Sequence, residues 1–203
     1  MATDILMMMS LVENKPIEAE SRVTLDRTDV LTKDFKAGCY FEIDGFNFSI
    51  KLSDKDPSKN DSFSKNTDYS TGGFEKFKFL TGSKMFANTY PVKIEAVSFS
   101  RQIDKSSPIL WKNCFNRISF KSAAIVKRKD MGGTSIIQSL PFFRLDFQDI
   151  MIINMDFSVS DNVIKEEVKF ICRSATAQYL PQLADGSAGS VISSTPLTLV
   201  KAS

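Results

Sequence analysis

LPFFRLDFQDIMIINMDFSVSDNVIKEEVKF, from Leu140 to Phe170, decides how this chain folds. Phe143, Leu145 and Phe147 alternate with Arg144, Asp146 and Gln148. That is the period-two pattern of a strand with one buried face. From Ile150 to Met155 both faces are apolar, which predicts burial on both sides. The cover on the second side is either the chain's own helix or a neighbouring molecule. Ser160-Asp161-Asn162 supplies turn residues. A last strand then runs from Val163 to Leu180, with Val168, Phe170 and Cys172 opposite Lys169, Ile171 and Arg173. Two long strands joined by a tight turn read as an antiparallel hairpin.

Upstream, SFSRQIDKSSPILWKNCF (Ser98 to Phe115) joins a strand to the one convincing helix. Val92 to Ile103 alternates with a change of phase, which predicts two-sided burial or a bulge. Ser106 or Ser107 can cap the helix, and Pro108 suits its first turn because its missing N–H costs nothing there. Leu110, Trp111, Cys114, Phe115 and Ile118 form its apolar stripe, with Asn113, Asn116 and Arg117 on the other side. The helix is expected at about residues 106–118. Strand period returns with Ile118, Phe120, Ser122, Ala124 and Val126 on one face, and Met131-Gly132-Gly133 makes a turn.

Nearer the start, Ile5 to Val12 reads as a first strand. Cys39 to Leu52 is a second strand region with a bulge expected at Gly45. Residues 53–73, SDKDPSKNDSFSKNTDYSTGG, are almost wholly polar and read as a long loop. It is either a simple insertion or an arm that orders on a partner. The tail after Pro181 is rich in small residues, with a short strand expected at Thr195 to Val200. Six or seven strands and one helix predict a mainly β fold, a small β-barrel of packed antiparallel sheets with the helix outside. The expected domain is 1–182, with 183–203 as a C-terminal extension.

Composition narrows the function. In 203 residues there are 17 phenylalanines against one tryptophan and four tyrosines, a bias towards strands. There is no histidine, which removes the commonest general base and metal ligand. A formal charge of +2 gives no reason to expect a nucleic-acid partner. The run Lys127-Arg128-Lys129 reads as a solvated strand end, with a phosphate contact as the sharper alternative. Cys39, Cys114 and Cys172 are few, odd in number and far apart, which fits a reduced compartment, a single disulfide being the alternative. The first ten residues lack the basic segment of an export signal, and no stretch is long and apolar enough to span a bilayer. Asp146 with Asp149, and Glu166 with Glu167, are the only paired acids worth weighing for acid–base chemistry. Their spacing on strands points the members of each pair to opposite faces, so surface solvation is the expected reading. The Gly72-Gly73 and Gly132-Gly133 pairs lack the Lys-Ser/Thr of a phosphate loop. No catalytic, cofactor-binding or metal-ligating residue is assigned.

The Ser98–Phe115 segment, the Leu140–Phe170 hairpin with its Glu-Glu-Val-x-Phe start, and Gln178-Tyr179-Leu180-Pro181-Gln182 followed by Asp185-Gly186 together resemble the Hcp family. So do Ile5 to Leu11 and the Glu18–Ser21 segment. Hcp proteins are tube subunits of bacterial type VI secretion systems. The resemblance covers residues 92–190 well and the earlier part loosely. Extra residues at about 22–38, the long loop at 53–73 and the extended tail depart from the family pattern. The resemblance implies a non-enzymatic structural protein that forms homohexameric rings, which stack inside a contractile sheath on a spike and baseplate. It implies effectors carried in the lumen, no cofactor, no nucleic acid and no membrane insertion. It also implies synthesis in the bacterial cytoplasm and, on firing, release outside or into a target cell without a signal peptide. A tube protein of another contractile injection system, similar to phage tail tubes, and a monomeric β-barrel carrier of a small apolar ligand are the alternatives.

Overall fold

The computed structural model describes residues 4–26, 28–52, 77–78, 92–130, 139–160, 162–183, 187–198 and 200–201. The strands are β1 (Ile5–Val12), β2 (Lys15–Pro16), β3 (Phe41–Glu42), β4 (Gly45–Asn47), β5 (Ile50–Leu52), β6 (Phe77–Lys78), β7 (Val92–Ile94) and β8 (Val97–Gln102). Helix α1 (Ser107–Phe115) follows, then β9 (Phe120–Asp130), β10 (Ser139–Ser160), β11 (Val163–Tyr179), β12 (Ile192–Ser193), β13 (Leu197–Thr198) and β14 (Val200–Lys201). The polar run 53–73, the Met131-Gly132-Gly133 turn and Asp161 lie outside the described residues.

Antiparallel pairing runs β1–β9–β10–β11–β8–β4, and β3 pairs back with β1. The strand region at 41–47 therefore closes the barrel. Its first half lies on β1 and its second on β8. The crossing falls between Ile43, whose N–H donates to the Ile5 carbonyl, and Asp44, whose N–H donates to the Ser100 carbonyl. The bulge expected at Gly45 is not there. Gly45 opens β4 in unbroken register, and the change of partner occurs just before it.

The core lies inside this closed wall. Phe41, Phe99, Phe120, Phe147 and Phe170 are all essentially inaccessible. Four of these rings meet in sequence, Phe41 on Phe99, Phe99 on Phe170 and Phe170 on Phe147, and the partly buried Phe48 packs on Phe147, with centroids 5.3–6.3 Å apart. Each such ring stabilises the fold by roughly 1.5–3 kcal/mol over leaving it in water. Phenylalanine serves here because it fills volume without a polar atom to satisfy.

Strict alternation fails at one level, and on three strands at once. The core positions step from Phe120 to Ala123 on β9, from Phe147 to Ile150 on β10, and from Cys172 to Ala175 on β11. These residues are neighbours across the sheet. At that level Asp149 takes a left-handed backbone, φ 49°, and the sheet bends. The single face expected from Ile118 to Val126 is therefore split. Phe120 and Ile125 face the core, whereas Ala124 and Val126 face outward. Ala124 and Val126 are still buried, because β1 is buried on both sides. Met7 and Met9 point into the barrel, while Leu6 and Met8 pack beneath Val23, Leu25, Phe35 and Tyr40. The extra segment at 22–38 is a strap over the outer face of β1.

The expectation of two-sided burial from Ile150 to Met155 also fails. Ile150 and Ile152 are in the core, but the register slips at Ile153, which is exposed, and Met155 returns to the core side. The long last strand ends at Tyr179; beyond it Gln182 pairs with Ala188, and the Gly189 N–H donates to the Pro181 carbonyl at 2.8 Å. Gly189 sits so close to Pro181 that a Cβ there would meet its Cγ at 3.0 Å. The tail then runs back along the β11 edge that β8 leaves open, as β12 and β13.

Candidate assembly surface

Helix α1 is shorter than expected and turned differently. It ends because Arg117 takes φ 55° and the Ile118 N–H turns back to the Asn113 carbonyl, which leaves Ile118 outside it. Ser106 stands at the N-cap position, but its hydroxyl donates to Asp104 Oδ1 at 2.6 Å instead of capping the helix. The buried face is Ser107, Leu110 and Asn113, so Asn113 lies inside, against expectation. Trp111 is 62% exposed and Phe115 83% exposed. Half of the apolar stripe read from the sequence thus faces outward. A helix needs only one arc to pack on its own sheet, so a second apolar arc is surface available to another molecule.

The start of α1 is fixed by a buried charged network. Arg101 on β8 and Glu166 on β11 are both inaccessible and form an ion pair. Ser107 Oγ donates to Glu166 Oε1 at 3.1 Å, and Arg101 Nη2 donates to Ser107 Oγ at 3.1 Å. Asp104 lies 3.1 Å from Arg101 Nη1, and its other oxygen accepts the Glu20 N–H. The Arg101 guanidinium stacks 3.9 Å from the Phe41 ring. Two stretches that looked like separate motifs, SFSRQIDKSS and Glu-Glu-Val-x-Phe, are thus one interaction in space. Surface solvation was the wrong expectation for Glu166. Its neighbour Glu167 is exposed beside Lys169, as expected.

A second network lies on the outer face. Arg144 Nη2 donates to Asp34 Oδ2 at 2.8 Å and to Asp146 Oδ1 at 2.6 Å, and Nη1 donates to the Leu31 carbonyl at 2.8 Å. This clamp holds the 22–38 strap. Burial pushes the Asp34 carboxyl up, but the hydrogen bonds and charge of Arg144 outweigh it and hold it below the usual range. Burial likewise opposes the charge on Arg144, and Asp34 and Asp146 more than restore it. Asp149 lies instead between Lys121 at 3.1 Å and Arg173 at 3.7 Å. Asp146 and Asp149 therefore serve different cations and do not converge on a cleft.

The three cysteines are free thiols, and burial pushes Cys172 up to about 12. It is a packing residue, not a nucleophile. Among the described residues, no group of three or more His, Cys, Asp or Glu is placed to hold a metal ion. No helix among them is long and apolar enough to cross a membrane.

What the molecule offers is surface. β9 accompanies β10 only as far as the Phe120–Ile150 pair. Beyond it the β10–β11 hairpin continues to Ser160 and Val163, with Phe157, Val159 and Ile164 exposed. Sequence reading assigned no interface residue. The available signal was an apolar stripe on α1 wider than one packing face requires.

The architecture matches solved structures closely in extent though not in sequence. One described as a type six secretion system protein gives a TM-score of 0.60 at 15% identity, covering 96% of this chain and 93% of that one. Hcp1 from Salmonella typhimurium gives 0.57 at 17% identity, covering 95% and 93%. A type VI secretion system effector from Yersinia pestis gives 0.56 at 18% identity, covering 97% and 100%. No curated protein matches the chain by sequence. The model of the family described as type VI secretion system effector, Hcp, matches residues 42–179. That span runs from the strand that closes the barrel to the end of β11 and contains α1 with its buried ion pair, and the chain belongs to the Hcp family.

Proposed function

We propose that this Hcp protein is a building unit of the type VI secretion tube: copies close into a six-membered ring, and rings stack into a tube that is expelled. The observation that carries this reading is a filled barrel with apolar side chains left on its outside. The described core is packed with phenylalanine rings, whereas Trp111, Phe115, Phe157 and Val159 are open to a neighbour. A protein whose chemistry is adhesion concentrates such residues on its surface. In this reading the protein is not an enzyme. Residues 1–182 make the barrel unit, and 183–203 are an extension that returns along β11. The contractile sheath, the spike and baseplate, and effectors held in the lumen are its partners. It is made in the cytoplasm and leaves with the tube.

Native mass measurement and negative-stain microscopy of the purified full chain test the proposal. Rings of six copies are expected. A strict monomer at tens of micromolar, with no annular particles, overturns it.

A further inference from the structure

Two exposed apolar patches lie at opposite ends of β11. The first is on the projecting hairpin. Residues paired across antiparallel strands share a face, so Phe157 lies on the same side as its partner Glu166, and Val159 on the same side as Ile164. Glu166 points inward to Arg101 and Ser107, which places α1 on that same side. Ile103 joins this face through its N–H bond to the Ile164 carbonyl. Exposure is 43% at Ile103, 51% at Phe157, 72% at Val159 and 42% at Ile164. With Trp111 and Phe115 of α1, these side chains leave on the order of 700 Å² open. One partner in a stable interface contributes about 800 Å².

The second patch is Tyr179, Leu183 and Ile192. Tyr179 and Ile192 are directly paired, and Leu183 lies against the tight Gly189 reversal. Ile164 and Tyr179 are fifteen steps apart along β11, about 50 Å at ~3.3 Å per step.

We infer that the occupant of each patch is a second copy of this chain, the hairpin patch of one copy seating on the Tyr179–Ile192 patch of the next. This rests on the ring-subunit reading and adds the surfaces that would make the junction. The two patches differ in size and make-up and are too far apart to meet within one molecule. A self-complementary two-fold dimer would use one patch twice and leave the other bare. A head-to-tail contact covers both and repeats, which is the requirement for a ring closed by rotation.

The test uses Val159→Glu and Ile192→Glu in the full chain, with Phe157→Ser as a milder alternative to the first. All three side chains are exposed, so circular dichroism and melting should match the wild type. Each variant alone should fall from ring to protomer mass, with the half-assembly concentration raised at least about tenfold. An equimolar mixture of the Val159→Glu and Ile192→Glu proteins should give one-to-one dimers, because one junction of intact halves remains. Rings retained by a variant, dimers formed by Ile192→Glu alone, or a mixture that stays monomeric would overturn the inference and leave the ring reading standing if the wild type still forms rings. A monomeric wild type removes both.

Discussion

Arg101 and Arg144 each join the barrel to a neighbouring segment, in opposite surroundings. Arg101 is enclosed on the core side, shares Ser107 with Glu166, and lies against Phe41. Arg144 lies on the outer face, and its partner Asp34 is 45% exposed. Water screens the outer clamp and not the inner pair. The inner pair loses hydration that its attraction only partly restores, and Glu166 Oε2 has no hydrogen bond among the described residues. Its contribution is therefore one of position: it sets where α1 starts and so which helix face stays outside. The outer clamp instead retains a strap that the barrel does not need for closure.

The largest effect should come from breaking the inner pair on one side only. Arg101→Met leaves Glu166 buried without a counter-charge and should cost about 3–5 kcal/mol in urea unfolding. The double change Arg101→Met with Glu166→Leu should recover most of that loss. A double variant as unstable as the single one would show that Phe41 stacking, not the charge pair, governs the site. Next in size, Arg144→Ala should cost about 1–2 kcal/mol, since several hydrogen bonds go but the two carboxylates, Asp34 and Asp146, keep contact with water. Limited proteolysis should then cut within residues 22–38 sooner than in the wild type.

Acid sharpens the contrast further. Asp34 has a folded pKa below its unfolded value, so its contribution is present above the ordinary carboxylate pKa of about 3.9 and is lost as pH falls through the folded value. The stability gap between the wild type and Asp34→Asn should be constant near neutrality and shrink below about pH 4. The smallest effect is expected at the bend. Asp149→Gly relieves the left-handed backbone and loses two exposed ion pairs, and the melting midpoint should reflect a change within about 0.5 kcal/mol.

Much of the barrel was legible because alternation is a local property. Phe143 to Phe147 and Val168 to Cys172 face as their pattern predicts, since each strand reports its own inner face. The pattern misled where register changed: at Asp149, at Ile153, and along Ile118–Val126. A bulge or bend reverses the parity of every later residue without altering composition. The assembly surface was half visible. Trp111 and Phe115 were recognised as apolar, but the sequence placed them inward.

Taken alone, the order of residues determined a histidine-free, phenylalanine-rich β protein with one short helix opening near Ser106 or Ser107, because composition and period act over a few neighbours. Tertiary structure decided that 41–47 closes the barrel, that Arg101 meets Glu166 across 65 positions, and that the aromatic arc of α1 faces out. Those outcomes depend on which surfaces compete for the same interior. Leu110 and Asn113 filled the limited space against the sheet, and Trp111 and Phe115 were left to solvent.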